Sequence, residues 1–317
     1  MKVVYALSLL ALACAADKRR NEFRWNEFRK KYERKYETQA EEKKRLKVFY
    51  HNMEKVSYWN RNIAEGDFGS LTPVADYYPE ELFSVVKVPE KIETEPEPTD
   101  EQIEAIPDAY DARDDKLLPK IRKQGKCRSS WAFATIASIE INYAKKHGVP
   151  SPVLSEQQLI DCAPNTDGCT GGWPADALEY AKGGLVAKGD YKYETKKGKC
   201  RAAGLETKVK VEKFGYVSPT VSGIKDAIIR YGSVIAPINA MKMQFYQDGV
   251  MLRSSCEETP NHFVNIVGWG RTETNGYDYW IVRNSWGQSW GIDGYIKVFM
   301  SKNACGIESY PMYVSVE

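Results

Sequence analysis

Six cysteines constrain this chain more than any other feature: Cys127, Cys162, Cys169, Cys200, Cys256 and Cys305, all after residue 105. A seventh, Cys14, lies in the leading stretch MKVVYALSLLALACAADK. There a lysine, a short apolar run and an Ala-Cys-Ala site read as a secretory signal, cut after Ala15 or Ala16. The run is far short of the ~20 apolar residues a membrane span needs. An even cysteine set in an exported chain implies disulfides, in any of several connectivities that spacing leaves open. A zinc cluster is disfavoured, because no CxxC pair occurs and the three histidines are scattered. Nothing else calls for a metal or a cofactor. The formal net charge of +2 gives no basis for binding nucleic acid or a membrane surface.

The chain divides by charge and pattern. Residues 17–60 hold 14 Lys/Arg against 8 Asp/Glu and are helical in character. Within them Glu41, Arg45, Phe49, Asn52, Val56 and Asn60 recur at helical spacing and share one face. The polarity of that face predicts buried hydrogen bonding rather than a plain amphipathic surface. Residues 80–104 invert the charge, with 9 acidic against 2 basic residues. Their Pro/Glu-rich core predicts an extended, solvated linker open to proteases.

From Ile106 onward Gly, Trp and Tyr become frequent. SSWAFATIASIEINYAKKHG reads as a buried helix, apolar on most sides, with Ser129 or Ser130 near its start and Gly148 as its C-terminal cap. After residue 207 the pattern turns to strands, among them FVNIVGWG and DYWIVRNSWG. Helices first and strands later predict an α+β domain of two unlike lobes. Two histidines follow the linker. His147 ends the buried helix, where a cation suits the helix dipole. His262 precedes an apolar strand; Asn284 follows it and Gln124 precedes the helix.

With these residues in place the chain resembles the papain-family cysteine proteases, in the form of a cathepsin-L-like preproprotein. The residues matching the family's nucleophile motif are Cys127, Arg128, Ser129, Ser130 and Trp131; GCTGGWP and NSWGQSWGIDGY carry the likeness further. The prodomain face matches the family's ERFNIN pattern with Val56 for isoleucine, whereas only Asp76 survives of the second prodomain motif. The resemblance implies a signal over 1–16, an inhibitory propeptide with the acidic linker over 17–105, and a papain-like domain over 106–317. That domain would have a helical lobe and a β-barrel lobe flanking a cleft. It implies the pairs Cys127–Cys169, Cys162–Cys200 and Cys256–Cys305, which leave no free thiol. It also implies Ser130 at the nucleophile position, His262 and Asn284 as its partners, Gln124 in the oxyanion hole, and Gly171, Gly172, Trp286 and Phe263 lining the substrate cleft.

Two departures bear on function. Arg128 stands where the family has glycine and should crowd the subsite beside the nucleophile. Phe263 stands where a small residue lines the S2 pocket and should narrow or fill it. The implied partners are a peptide or protein in the cleft, the chain's own propeptide and protein protease inhibitors, with a monomer expected. The implied location is extracellular or lysosomal, although no Asn-x-Ser/Thr site occurs to support glycan-dependent sorting. Ser130 points to an inactive or impaired homologue that acts by binding. The alternatives are a weak hydrolase using Ser130, His262 and Asn284, or a protease zymogen disabled by deliberate replacement.

Overall fold

The computed structural model describes residues 20–62, 67–69, 71–84, 86, 88–89 and 91–317. The expected signal over residues 1–16 lies outside them. Among the described residues no helix is long and apolar enough to cross a membrane.

The N-terminal part is built on a helix over residues 20–31 and a long helix, Gln39–Asn62. They close a small core of Trp25, Phe28, Phe49, Met53 and Val56, with Phe28 and Phe49 ring centroids 5.0 Å apart. The polar members of the long helix's inward face all find hydrogen-bond partners. Arg45 donates to Glu41 at 2.7 Å, to the Asp76 carbonyl at 2.9 Å and to both carboxylate oxygens of Glu81 at 2.5 and 2.6 Å. Asn52 donates to the carbonyls of Ala75 and Tyr77, and Asn60 to that of Phe68. These bonds let side chains substitute for water at carbonyls that no ladder satisfies. Asp76 accepts from Arg34 at 3.0 Å and Tyr36 at 2.9 Å.

This unit docks on the rest through backbone as well as side chains. Phe245 enters its core, and Phe68 pairs with Tyr246 across a short antiparallel ladder. Thr72 donates to the Gln244 carbonyl, and the Gln244 amide donates to the carbonyls of Val74 and Tyr77.

Beyond residue 106 the architecture is α+β. The central helix, Ser130–His147, buries 14 of its 18 residues because its apolar positions run all round it. Gly148 stops it at φ 67°, donating to the Ala144 carbonyl from a left-handed conformation that a side chain would disfavour. Helices Glu156–Cys162 and Pro174–Ala181 pack with it around Leu159, Ile160 and Leu178. The second lobe is an eight-stranded sheet. Its neighbours run Val211–Tyr216, Met312–Val316, Val234–Ile238, His262–Arg271, Asp278–Arg283, Tyr295–Phe299 and Val250–Met251, and Tyr110–Asp111 adds to the His262–Arg271 strand. Its own core holds Trp269, Trp280, Trp286 and Trp290. Disulfides join Cys127 to Cys169, Cys162 to Cys200 and Cys256 to Cys305.

The central helix forms one wall of the contact between lobes, because Ile235, Phe263, Met312 and Val314 of the sheet share its core. His262, the first residue of its strand, therefore lies beside Ser130, the first residue of the helix. The acidic segment departs from the expected free linker. Glu95 pairs with Arg230 at 2.8 Å and its N–H donates to the Tyr216 carbonyl. Glu97 accepts from Ser218 and Thr220 at 2.6 and 2.8 Å. A short helix, Asp100–Glu104, follows under a Thr99–Gln102 capping box. Low apolar content predicted solvation, whereas carboxylates that find fixed donors are held on the surface instead.

Candidate active site

Gln124 is held at three points. Its N–H donates to the Ser285 carbonyl at 2.9 Å, its Oε1 accepts from Ser285 Oγ at 2.7 Å, and its Nε2 donates to the Cys127 carbonyl at 3.2 Å. The same Nε2 reaches the Leu82 carbonyl at 3.3 Å, so a propeptide carbonyl occupies the position its amide points at. Tyr193, a residue that sequence reasoning passed over, supports the loop. Its hydroxyl donates to the Gln124 carbonyl at 2.6 Å and lies 3.3 Å from Ser129 Oγ.

His262 is fully buried. Its Nε2 lies 2.9 Å from Asn284 Oδ1, which also accepts from the Ser285 N–H. An amide oxygen only accepts, so this contact assigns the imidazole proton to Nε2 and leaves Nδ1 as a bare lone pair. Among the described residues that Nδ1 has no partner. Trp286 packs 4.9 Å from the His262 ring, and Phe83 covers both, at 6.3 Å from His262 and 5.9 Å from Trp286. Burial pulls the His262 pKa down to about 4, and the Asn284 hydrogen bond only partly opposes this.

Ser130 is also buried, at the positive end of the central helix. Its hydroxyl oxygen accepts from the Phe263 N–H at 3.2 Å, and no hydrogen bond joins it to His262. The Phe263 ring packs edge-on to Trp173 at 5.2 Å. Trp173 in turn donates to Tyr216 and meets Tyr310. Phe263 is thus part of a closed aromatic group, and the signal for Trp173, its sequence neighbours Gly171 and Gly172, was in the GCTGGWP motif all along. Gly172 leaves no room for a side chain, since a Cβ there would stand 2.6 Å from the Trp131 ring. Gly171 accepts from the Asp167 N–H at φ 150°. Arg128 donates from Nε to the Cys169 carbonyl at 3.2 Å. Hydrogen bonds and ring contacts link Gln124, Ser285, Asn284, His262 and Trp286, and the Phe263 N–H ties Ser130 to the same strand; Ser285, Tyr193 and Leu82 join through contacts distant in sequence.

Residues 106–315 match the papain family cysteine proteases, and residues 25–82 match the cathepsin propeptide inhibitor domain. The chain belongs to the papain family. Among curated papain-family proteins it is 33% identical to a cathepsin L-like proteinase of Phaedon cochleariae, over 98% of this chain and 99% of that one. It is 34% identical to digestive cysteine proteinase 3 of Homarus americanus, over 97% of each. Among solved papain-family structures it is similar to a recombinant stem bromelain precursor, with TM-score 0.82, 29% identity and coverage of 94% and 99%. It is likewise similar to the digestive procathepsin L2 proteinase from Tenebrio molitor larval midgut, with TM-score 0.81, 31% identity and coverage of 93% and 99%.

The buried histidine makes this papain-family proform sensitive to acid. An open or unfolded state binds a proton near pH 6.5, whereas the closed state resists until about 4. The His262 contribution is therefore complete above about 6.5 and is lost as pH falls toward 4, by about 3 kcal/mol at most. Glu81 adds to the loss below its ordinary range, because Arg45 and the Tyr78 N–H outweigh its burial and hold it low. Thermal midpoints at pH 7 and pH 4.5 should differ less in His262→Gln than in the wild type. An equal drop in both proteins would exclude His262 as the source.

Proposed function

We propose that this papain-family member is a peptide-binding homologue with little or no peptidase activity, held in its closed form by its propeptide. The observation that carries this reading is Ser130, at the position matching the family's nucleophilic cysteine, with its hydroxyl facing the Phe263 N–H rather than His262. A cysteine beside a histidine at a helix N-terminus exists as a thiolate, with its pKa lowered to roughly 3–4 in papain from about 8.5 when free. Serine forms no comparable resident anion, so its proton must leave during attack. While Phe83 covers it, His262 is pulled down to about 4 and is a poor acceptor for that proton. The remaining Gln124 donor and substrate binding would supply only ~10³–10⁴-fold over water. The domain boundaries at 16 and 105, and export to the cell exterior or a lysosome, belong to the same proposal.

One observation favours a second reading, a weak serine-type hydrolase: His262, Asn284 and Gln124 retain a connected hydrogen-bond network and a free Nδ1. Fluorogenic peptides and an active-site serine probe, applied after propeptide removal, separate the two. We expect no turnover and no labelling. Turnover and labelling that both vanish in His262→Ala would establish the hydrolase and overturn the binding role.

A further inference from the structure

Arg128 lies on the loop between Gln124 and Ser130, with its side chain half-buried. Its Nε bond to Cys169 fixes the guanidinium against the Cys127–Cys169 disulfide. Among the described residues its two Nη groups have neither a hydrogen bond nor an ion pair. The side chain borders a groove of about 840 Å³, lined also by Phe83, Ser84, Val86, Met241 and Asn261. Among the described residues, the other charges on that groove are Glu80, Lys242 and Glu257. Glu257 acts on Lys242, and Glu80 belongs to the propeptide. Phe83, Ser84 and Val86, which line the groove on this side, carry no charge. The acidic stretch behind it spends Glu95 on Arg230 and Glu97 on Ser218 and Thr220. Among the described residues, no carboxylate pairs with the Arg128 guanidinium in the closed form.

We propose that Arg128 makes the cleft beside Ser130 an acceptor for a carboxylate, so that acidic peptides are its preferred ligands. This rests on the peptide-binding reading above. A peptide following the propeptide's track sets a carbonyl at Gln124 and brings a neighbouring side chain under the guanidinium. The planar fork offers two parallel donors to a carboxylate, and the half-buried setting screens the pair less than open solvent does. A neutral or basic side chain at that point leaves the guanidinium partnerless or repels it.

The test uses dye-labelled hexapeptides in which one Glu is moved through an Ala/Val background, each with a Gln twin. Binding is read by fluorescence anisotropy to the full-length chain and to the same chain carrying Phe83→Ala, which loosens the propeptide. At one position the Glu peptide should bind on the order of tenfold more tightly than its Gln twin, the worth of a charged hydrogen-bonded pair. Arg128→Gln should erase that ratio, and Arg128→Lys should keep part of it. Equal binding of the twins at every position, or a ratio that survives Arg128→Gln, would overturn the inference while leaving a peptide-binding cleft. Binding of no peptide by either form would overturn it together with the peptide-binding reading. Turnover of the peptides with the ratio intact would sink only the inactive reading.

Discussion

Ser130→Cys should confer thiol-dependent peptide cleavage on a chain that otherwise shows none, a gain of at least about 10²-fold over the wild type. The surroundings that favour a thiolate are in place: the helix N-terminus, a neighbouring histidine oriented by Asn284, and Gln124 held by Ser285. Release of Phe83 rehydrates His262 and lifts its pKa back toward 6.5, which lets it form the ion pair that sulfur needs. The restored activity should still fall short of an ordinary family member. Arg128 borders the groove, and the Phe263 ring, packed on Trp173, would narrow a substrate pocket at that position. Adding Arg128→Gly should raise the rate further on substrates with neutral side chains. Hydrolysis of a fluorogenic peptide with and without a thiol-alkylating reagent measures both steps. If Ser130→Cys stays silent after the propeptide is removed, the site has lost more than its nucleophile.

Arg45→Met should be the most damaging single change in the propeptide. It removes the partner of Glu81 and Glu41 and the donor to the Asp76 carbonyl together. Arg45 is 2% exposed, so water does not replace it readily. Glu81 and Glu41 keep 22% and 30% exposure, which discounts the loss to about 1–3 kcal/mol. Tryptophan fluorescence in urea should register the loss in the propeptide, where Trp25 and Trp59 report. Trypsin should cut residues 20–62 faster than in the wild type. A midpoint change worth less than about 1 kcal/mol would show that Phe245 and the Phe68–Tyr246 ladder hold the unit without this network. Arg45→Lys should fall between, because an ammonium cannot serve both Glu81 oxygens in one plane.

Much of this was legible before the fold was known, and for local reasons. The six positions on the Gln39–Asn62 helix announce their shared face by spacing, and their polarity announces buried partners. Gly148 ends the central helix because a residue without Cβ takes φ 67° easily. Gln124, Ser130, His262 and Asn284 are identified by motif, since the chemistry allows few residue types at those points. The helices Glu156–Cys162 and Pro174–Ala181 went unremarked, being short and set by packing more than by an unbroken periodic run, whereas Val221–Tyr231 was missed despite its apolar spacing at Val221, Ile224, Ile228 and Tyr231 and its Thr220 and Gly232 caps.

The sequence by itself determined the cysteine count, the division by charge, the helix-then-strand order and the atom at position 130. Only the tertiary structure decided that Phe245 completes the propeptide core, that the Leu82 carbonyl meets Gln124 while Phe83 covers His262, and that Glu95 and Glu97 strap down a stretch whose composition reads as free. The division has a physical reason. Propensity and periodicity act over a few residues, whereas the contact between Gln244 and Val74 spans 170 positions and exists only once two separately folded surfaces meet.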